Sequence, residues 1–403
     1  MMKRWFLLLA CSVLFNSAYA EEWAFSGHVA ATLRGFAEQP LHSEQNHLQS
    51  TFTVAPEWSR SGGDDLEWIA TLKPRFDIDW YGNASRVRPD MRELLLILVG
   101  SDWELRMGIN KVFWGVTESQ HLVDIINQTD LAARPDGEEK LGQPMVNLSL
   151  VRDWGTLDLF LLPYFRERVF AQQRDRNRLA LPIVDALTEY ESNAEQWHQD
   201  LAIRWVHSFD TDMVGWDISA SHFSGTDRDP VFHPTLHDGA LVLAPYYHQI
   251  DQTSVTLQAT WDAWLWKLET ISRQGEPGGR YTAATFGFEY TVVGVLESDA
   301  DLGVLTEYLF DDRGGSGSIP FANDVMMGAR LAMNDVDSTE LLAGIVVDLD
   351  TQSSSVLLET SRRFGDSLKV ALEGRAQIGV ESDEPLYAFR RDAYLELKLE
   401  KYF

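Results

Sequence analysis

The sequence predicts an all-β chain: a transmembrane, antiparallel, up-and-down β-barrel of about 18 strands, with 16 as the lower count. Three observations predict it. Apolar and polar residues alternate with period two, as where Leu201, Ile203 and Trp205 interleave with Ala202 and Arg204. The connections sort into tight turns on one side and long loops on the other. After residue 20, no run approaches the roughly 18 apolar residues that a membrane helix needs.

Strands are expected at 24–36, 47–60, 65–81, 90–99, 102–113, 144–152, 155–165, 198–208 and 212–223. Others follow at 251–262, 264–274, 281–294, 300–310, 324–334, 338–349, 353–362, 367–378 and 389–403. Val255, Leu257, Ala259 and Trp261 make one apolar row; Leu341, Ala343, Ile345, Val347 and Leu349 make another. Short periplasmic turns fall at Gly100-Ser101, Asp153-Trp154, Asp210-Thr211, Asp262-Ala263 and Phe364-Gly365-Asp366. Long extracellular loops fall at 114–143, 166–197, 224–250 and 311–323. A soluble β-sandwich would also alternate, but its turns would not divide in this way. Trp58, Trp154, Trp205, Trp261, Trp264, Trp266, Tyr402 and Phe403 gather near strand ends, as an aromatic girdle requires.

The chain opens MMKRWFLLLACSVLFNSAYA. A basic start, a short apolar stretch and a small-x-small site predict a signal peptide at 1–20, leaving 21–403 as a single barrel domain. Leu8 to Cys11 loosely fits a lipoprotein box, but apolar residues continue beyond it. Cys11 is the only cysteine, so the mature barrel is expected to hold no disulfide. Removing Lys3 and Arg4 takes the formal charge from −27 to −29, which argues against a nucleic-acid partner.

The last ten residues, YLELKLEKYF, form a strand that runs to the final atom. Leu395, Leu397, Leu399 and Phe403 share its outward face. The segment resembles the C-terminal signal of bacterial outer-membrane proteins, which the barrel-assembly machinery recognises. Lys401 stands where that pattern usually carries an apolar or aromatic residue. The whole mature chain resembles a porin-like outer-membrane channel. Within that class Gly108, Trp114-Gly115, Asn127 and Asp130 look like the pattern of a little-characterised proteobacterial group. The resemblance implies passive diffusion of small polar solutes in the outer membrane, no catalysis and no cofactor.

In many porins the third outer loop folds inward and narrows the pore, and 114–143 occupies that place. Thr117 and Gln120 fit a capping box, with Leu122, Ile125 and Ile126 at helical spacing, so a short helix is expected over 117–130. Glu118, Asp124 and Asp130 would then face water at the constriction. The polar strand faces place Arg34, Arg75, Arg106, Arg204, Arg330 and Arg375 in the lumen, opposite Asp77, Glu269, Glu307 and Glu373. Charged pairs of this kind also serve merely to satisfy a wide barrel interior. Leu94 to Leu98 is apolar on both faces, which an inward loop would explain.

Two other function classes share parts of this pattern. A barrel hydrolase would need a nucleophile and base, but no G-x-S-x-G elbow accompanies His28, His207 or His222. A structural or adhesive barrel would share every feature of the fold and lack only the open pore. His233, His237 and His248 with Asp229 and Asp238 sit in one loop, but Pro234 interrupts the spacing and no metal site is expected. Lipid and lipopolysaccharide are the expected surroundings, with self-association left open.

Overall fold

A computed structural model describes residues 23–63, 66–82, 85–314 and 319–403; the expected leader lies outside the described residues. Eighteen strands form one closed antiparallel sheet. They are β1 (Ala24–Phe36), β2 (Leu48–Gly62), β3 (Glu67–Trp80), β4 (Ser85–Val99), β5 (Trp103–Asn110), β6 (Gln143–Arg152), β7 (Gly155–Leu162), β8 (Asp200–Asp210) and β9 (Gly215–Thr226). The second half holds β10 (Gln249–Trp261), β11 (Trp264–Gln274), β12 (Tyr281–Val292), β13 (Asp301–Asp311), β14 (Asn323–Ala332), β15 (Glu340–Asp348), β16 (Ser354–Phe364), β17 (Leu368–Ile378) and β18 (Tyr394–Tyr402).

Each strand pairs with the next, and β1 closes on β18 with Ala30 opposite Glu400 and Arg34 opposite Glu396. Gly27 and Phe403 exchange backbone hydrogen bonds of 3.1 and 3.0 Å, so the final residue is part of the seam. The Phe403 ring lies 5.5 Å from Phe25, which in turn lies 5.2 Å from Trp58. Leu395, Leu397 and Leu399 are exposed on the outer face, like Leu33, Phe76, Leu159 and Phe286 on other strands. Near the tight turns the outward rings stack: Trp205, His207, Phe209 and Trp216 in one file, Trp264, Trp266 and Phe286 in another.

β4 starts five residues earlier than the expected 90–99. Arg86 and Arg88 look like loop residues in the sequence, but they point into the barrel opposite Asp79 and Asp77. Charge is tolerated on that face because each side chain finds a partner. Pro74 has no N–H to give to the ladder, and the pairing slips there by one residue at Arg92.

No α-helix forms among the described residues, and the helix expected over 117–130 is replaced by an irregular chain of turns. The Thr117 hydroxyl shares its one hydrogen between the Gln120 carbonyl and the Glu269 carboxylate on the wall, while the Gln120 amide leaves to reach Thr285. The capping pair is thus spent on tertiary contacts. Residues 231–247 form a hairpin beyond the barrel rim. It sets His233 against Tyr246, His237 beside Asp238 and His248 beside Glu191, so these histidines do not converge.

Candidate functional site

The inner face of β6–β12 is unusual for a water-filled barrel because it carries a large apolar patch. Met145, Phe160, Leu162, Ala202, Phe223, Ile250, Ile271, Tyr281 and Ala283 all point inward and are buried. What buries them is the 111–142 loop, through Trp114, Val123, Ile125 and Ile126. Hydrophobic burial therefore draws the loop onto that half of the interior, at about 1.5–3 kcal/mol per large side chain. The apolar inner face of β4 belongs to the same region: Leu95 and Ile97 border a cavity with Val112, Phe113 and Trp114. The both-faces-apolar run Leu159 to Leu162 carried the same signal in the sequence.

Polar contacts fix the loop's position. The Glu269 carboxylate on β11 is fully buried and accepts the backbone N–H of Val116 (2.6 Å), Thr117 (3.0 Å) and Val123 (3.2 Å) and the Thr117 hydroxyl (2.8 Å). Glu307 on β13 accepts the N–H groups of Glu118 and Ser119, each at 2.8 Å, and the Ser119 hydroxyl at 2.6 Å. The loop tip is in effect an anion-binding concavity filled by two wall carboxylates. His121 lies 3.5 Å from Glu138 and 4.0 Å from Glu269. Burial works against its charge, but these two carboxylates outweigh burial and raise its pKa to about 10.

Of the five residues behind the closer resemblance, Trp114, Asn127 and Asp130 seat this loop, and Gly108 lets β4 and β5 approach at its base. Gly108 has a φ of +128°, and a Cβ there would lie 2.0 Å from the Leu94 carbonyl oxygen. Trp114 packs edge-on to Phe160, with the Arg204 guanidinium 5.2 Å over its ring. Asn127 is buried and staples the loop base, accepting from Val112 N–H and donating to the Asn110 and Leu141 carbonyls. Asp130 accepts a 2.7 Å hydrogen bond from Arg92.

Asp124 and Asp130 do not face water as the sequence suggested; they are 7% and 2% exposed. Asp124 meets Lys140 at 3.3 Å, and burial nonetheless pushes its pKa up. Glu118 does border open space, and Arg330 pairs with it at 2.5 Å. Arg34, Arg75 and Arg330 line the same cavity of about 360 Å³, between the loop and the wall of β1–β4 and β14–β18. Arg375 stands behind two of the lining acids, Glu359 and Glu373. Arg106 and Arg204 instead border the cavity at the loop base, on the opposite side.

The 360 Å³ cavity is charged and balanced. Arg34, Arg75, Arg88, Arg134, Arg330, Lys369 and Lys398 face Glu118, Glu139, Glu340, Glu359, Glu373, Glu396 and Glu400. Most are paired, as in Arg34–Glu396 at 2.6 Å and Lys398–Glu400 at 2.7 Å. Asp136, Glu359 and Glu373 bring three carboxylates together, a grouping that could hold a cation. Arg134 and Arg375 thread between all three, at 2.5–3.4 Å, and supply the neutralising charge. Burial would raise Asp136, but Arg134 and Arg375 outweigh it and hold it below the usual carboxylate range. A second cavity of about 530 Å³ lies toward the tight-turn end and shares Arg75, Glu139, Lys398 and Glu400 with the first.

The 163–199 loop was legible only as long, yet it too crosses the mouth. Arg176, with its side chain fully buried, donates to Asp392 at 2.7 Å and sits 4.4 Å over the Phe36 ring. Asp175 accepts from Tyr81 at 2.5 Å and from Arg86 at 3.2 Å. Five arginines between Arg166 and Arg178, in so acidic a chain, were the available signal.

No family model matches this chain, and no curated protein is similar to it in sequence. Among solved structures, a BenF-like porin from Pseudomonas fluorescens Pf-5 aligns at a TM-score of 0.53 and 10% identity, over 94% of this chain and 97% of its own. A double mutant of Rh. blastica porin aligns over 95% of this chain and 100% of its own, at 9% identity and a TM-score of 0.43. The first likeness, at so low an identity, is one of fold, and it agrees with the eighteen closed strands: the chain has the closed β-barrel fold of that porin.

Proposed function

We propose that this chain is an outer-membrane channel for passive diffusion of small hydrophilic solutes, narrowed by the inward-folded 111–142 loop. The observation that carries the reading is asymmetric filling of the barrel. The loop is drawn onto the apolar patch inside β6–β12, and a charged cavity is left along the opposite wall. Such a path lowers the cost of moving a polar solute through lipid and needs no covalent step. Arg34, Arg75, Arg330 and Glu118 would form the narrow zone, and Arg375 would hold its acids in place. The outward band of leucine, valine and phenylalanine suits lipid, and the exposed aromatic files suit the interface. On this reading residues 1–20 are a cleaved leader, and the Phe403 strand is the address for barrel assembly.

Ion current through the refolded protein in a planar bilayer, under a salt gradient, tests the reading. Discrete conductance steps with a small reversal potential are expected, because the narrow zone carries seven bases and seven acids. A folded, inserted barrel that passes no current would overturn it in favour of a closed structural or adhesive barrel.

A further inference from the structure

A further cavity, of about 800 Å³, lies at the mouth among the long loops. It is bounded by residues 171–186, the top of the β3–β4 connection and the hairpin at 231–247. Part of its lining is aliphatic: Leu179, Leu181, Ile183, Val184 and Val242. Backbone hydrogen bonds pin that part to the hairpin, Val184 donating to Leu243 at 3.0 Å and Leu243 to Pro182 at 2.9 Å. The rest is cationic, with Arg86, Arg174 and Arg178 against Asp185 as the one lining acid among the described residues. In a chain of formal charge −27, that local excess runs against the whole. Arg178 is committed to Glu44 and to the Leu179 carbonyl, each at 3.0 Å. Arg86 gives Nε and Nη2 to Asp79 and Asp175, and its Nη1 makes no hydrogen bond. The Arg174 guanidinium is exposed and meets no acceptor among the described residues.

We infer that this cavity binds an amphipathic organic anion, with its acid group on Arg174 and Arg86 and its alkyl body over Leu181, Ile183 and Val242. Its size is within the range that holds small organic ligands. A guanidinium offers a planar fork of donors that matches a carboxylate. Charge alone earns little affinity at an exposed site, and burial of alkyl carbon supplies the remainder. The body is aliphatic rather than a flat ring, because only Tyr81 and His237 bring rings to the lining, and Tyr81 is buried with its hydroxyl on Asp175. A small ionic solute would leave the aliphatic lining wet, and a neutral one would leave Arg174 unanswered. Binding itself needs no open pore; only the cavity's place ahead of the charged lumen rests on the channel reading.

Calorimetry on the full barrel in lipid nanodiscs, with empty nanodiscs subtracted, tests this with octanoate as the probe. Octanoate is expected to bind at least about tenfold tighter than butanoate, since each buried methylene is worth roughly fourfold. Octylammonium is expected not to bind. Arg174→Gln, a change at an exposed side chain, should weaken octanoate about tenfold. Leu181→Ser should narrow the gap between octanoate and butanoate. Equal affinity for the two acids overturns the proposal in favour of a plain anion site. Octylammonium binding as tightly as octanoate overturns it in favour of partition onto an apolar surface. Absence of octanoate binding by folded, heat-modifiable protein overturns the site, as does binding unchanged in Arg174→Gln. A barrel that conducts without binding octanoate keeps the channel reading and loses this one; binding without conductance loses only the channel.

Discussion

Ser119 gives both its backbone N–H, at 2.8 Å, and its hydroxyl, at 2.6 Å, to Glu307 Oε2, 188 residues away on the barrel wall. With Glu269, which takes four donors from residues 116–123, this contact ties the loop tip to the interior. A carboxylate that accepts several N–H groups is stronger here than an amide could be, because it carries charge and offers only lone pairs.

Replacing both acids, as Glu269→Gln and Glu307→Gln, should loosen the tip without unfolding the barrel. Each change exchanges charge-assisted hydrogen bonds for neutral or mismatched ones, a loss of about 1.5–3 kcal/mol in seating. Single-channel current should rise and become noisier. Unchanged conductance, with the loop still resistant to protease, would show that the apolar contacts alone hold it.

Trp114→Ala removes the ring that packs on Phe160 and lies beneath Arg204. Truncating a buried aromatic of this size costs about 3–5 kcal/mol. Because the residue anchors the loop and not the sheet, the expected change is faster proteolysis within 111–142, with little shift in barrel melting. Equal losses in both would place Trp114 in the folding core.

Gly108→Ala should damage the sheet itself. The site combines a φ of +128° with a Cβ position 2.0 Å from the Leu94 carbonyl, so β4 and β5 must separate locally. A penalty of at least about 1–3 kcal/mol is expected from the backbone conformation alone, before the clash is added. The measurement is the urea midpoint of the refolded barrel. A midpoint equal to wild type would contradict the geometry.

His121 provides a pH test. Its folded pKa is raised to about 10 from the ordinary 6.5. The folded state therefore binds the proton more tightly than the unfolded state. Its contribution is fully present below pH 6.5 and is lost as pH rises through about 10. Loop protection from protease should be greatest at or below pH 6.5, decline progressively between about pH 6.5 and 10, and change little above that. In His121→Gln that alkaline change should shrink. Identical profiles for the two proteins would remove His121 from the latch.

Much of the architecture was legible in the chain. The period-two rows, the two classes of connection and the final aromatic strand determined an eighteen-stranded barrel, and Leu395, Leu397 and Leu399 stand on the outer face as their alternation implies. These are local signals: backbone pleat dictates the period, and turn chemistry dictates the connection. Loop seating was another matter. Thr117 and Gln120 carried a helix signature, but Glu269 and Thr285, more than 150 positions distant, offered their groups better partners. Asp124 and Asp130 are polar residues in a loop, and only the fold brings Lys140 and Arg92 against them. The same holds for the cavity, whose charges come from strands at both ends of the chain. Sequence determined which face most strand residues take, because away from the slip at Arg92 that depends on parity alone. Which half of the interior is filled, and which left open, depends on side chains that meet only after the barrel closes.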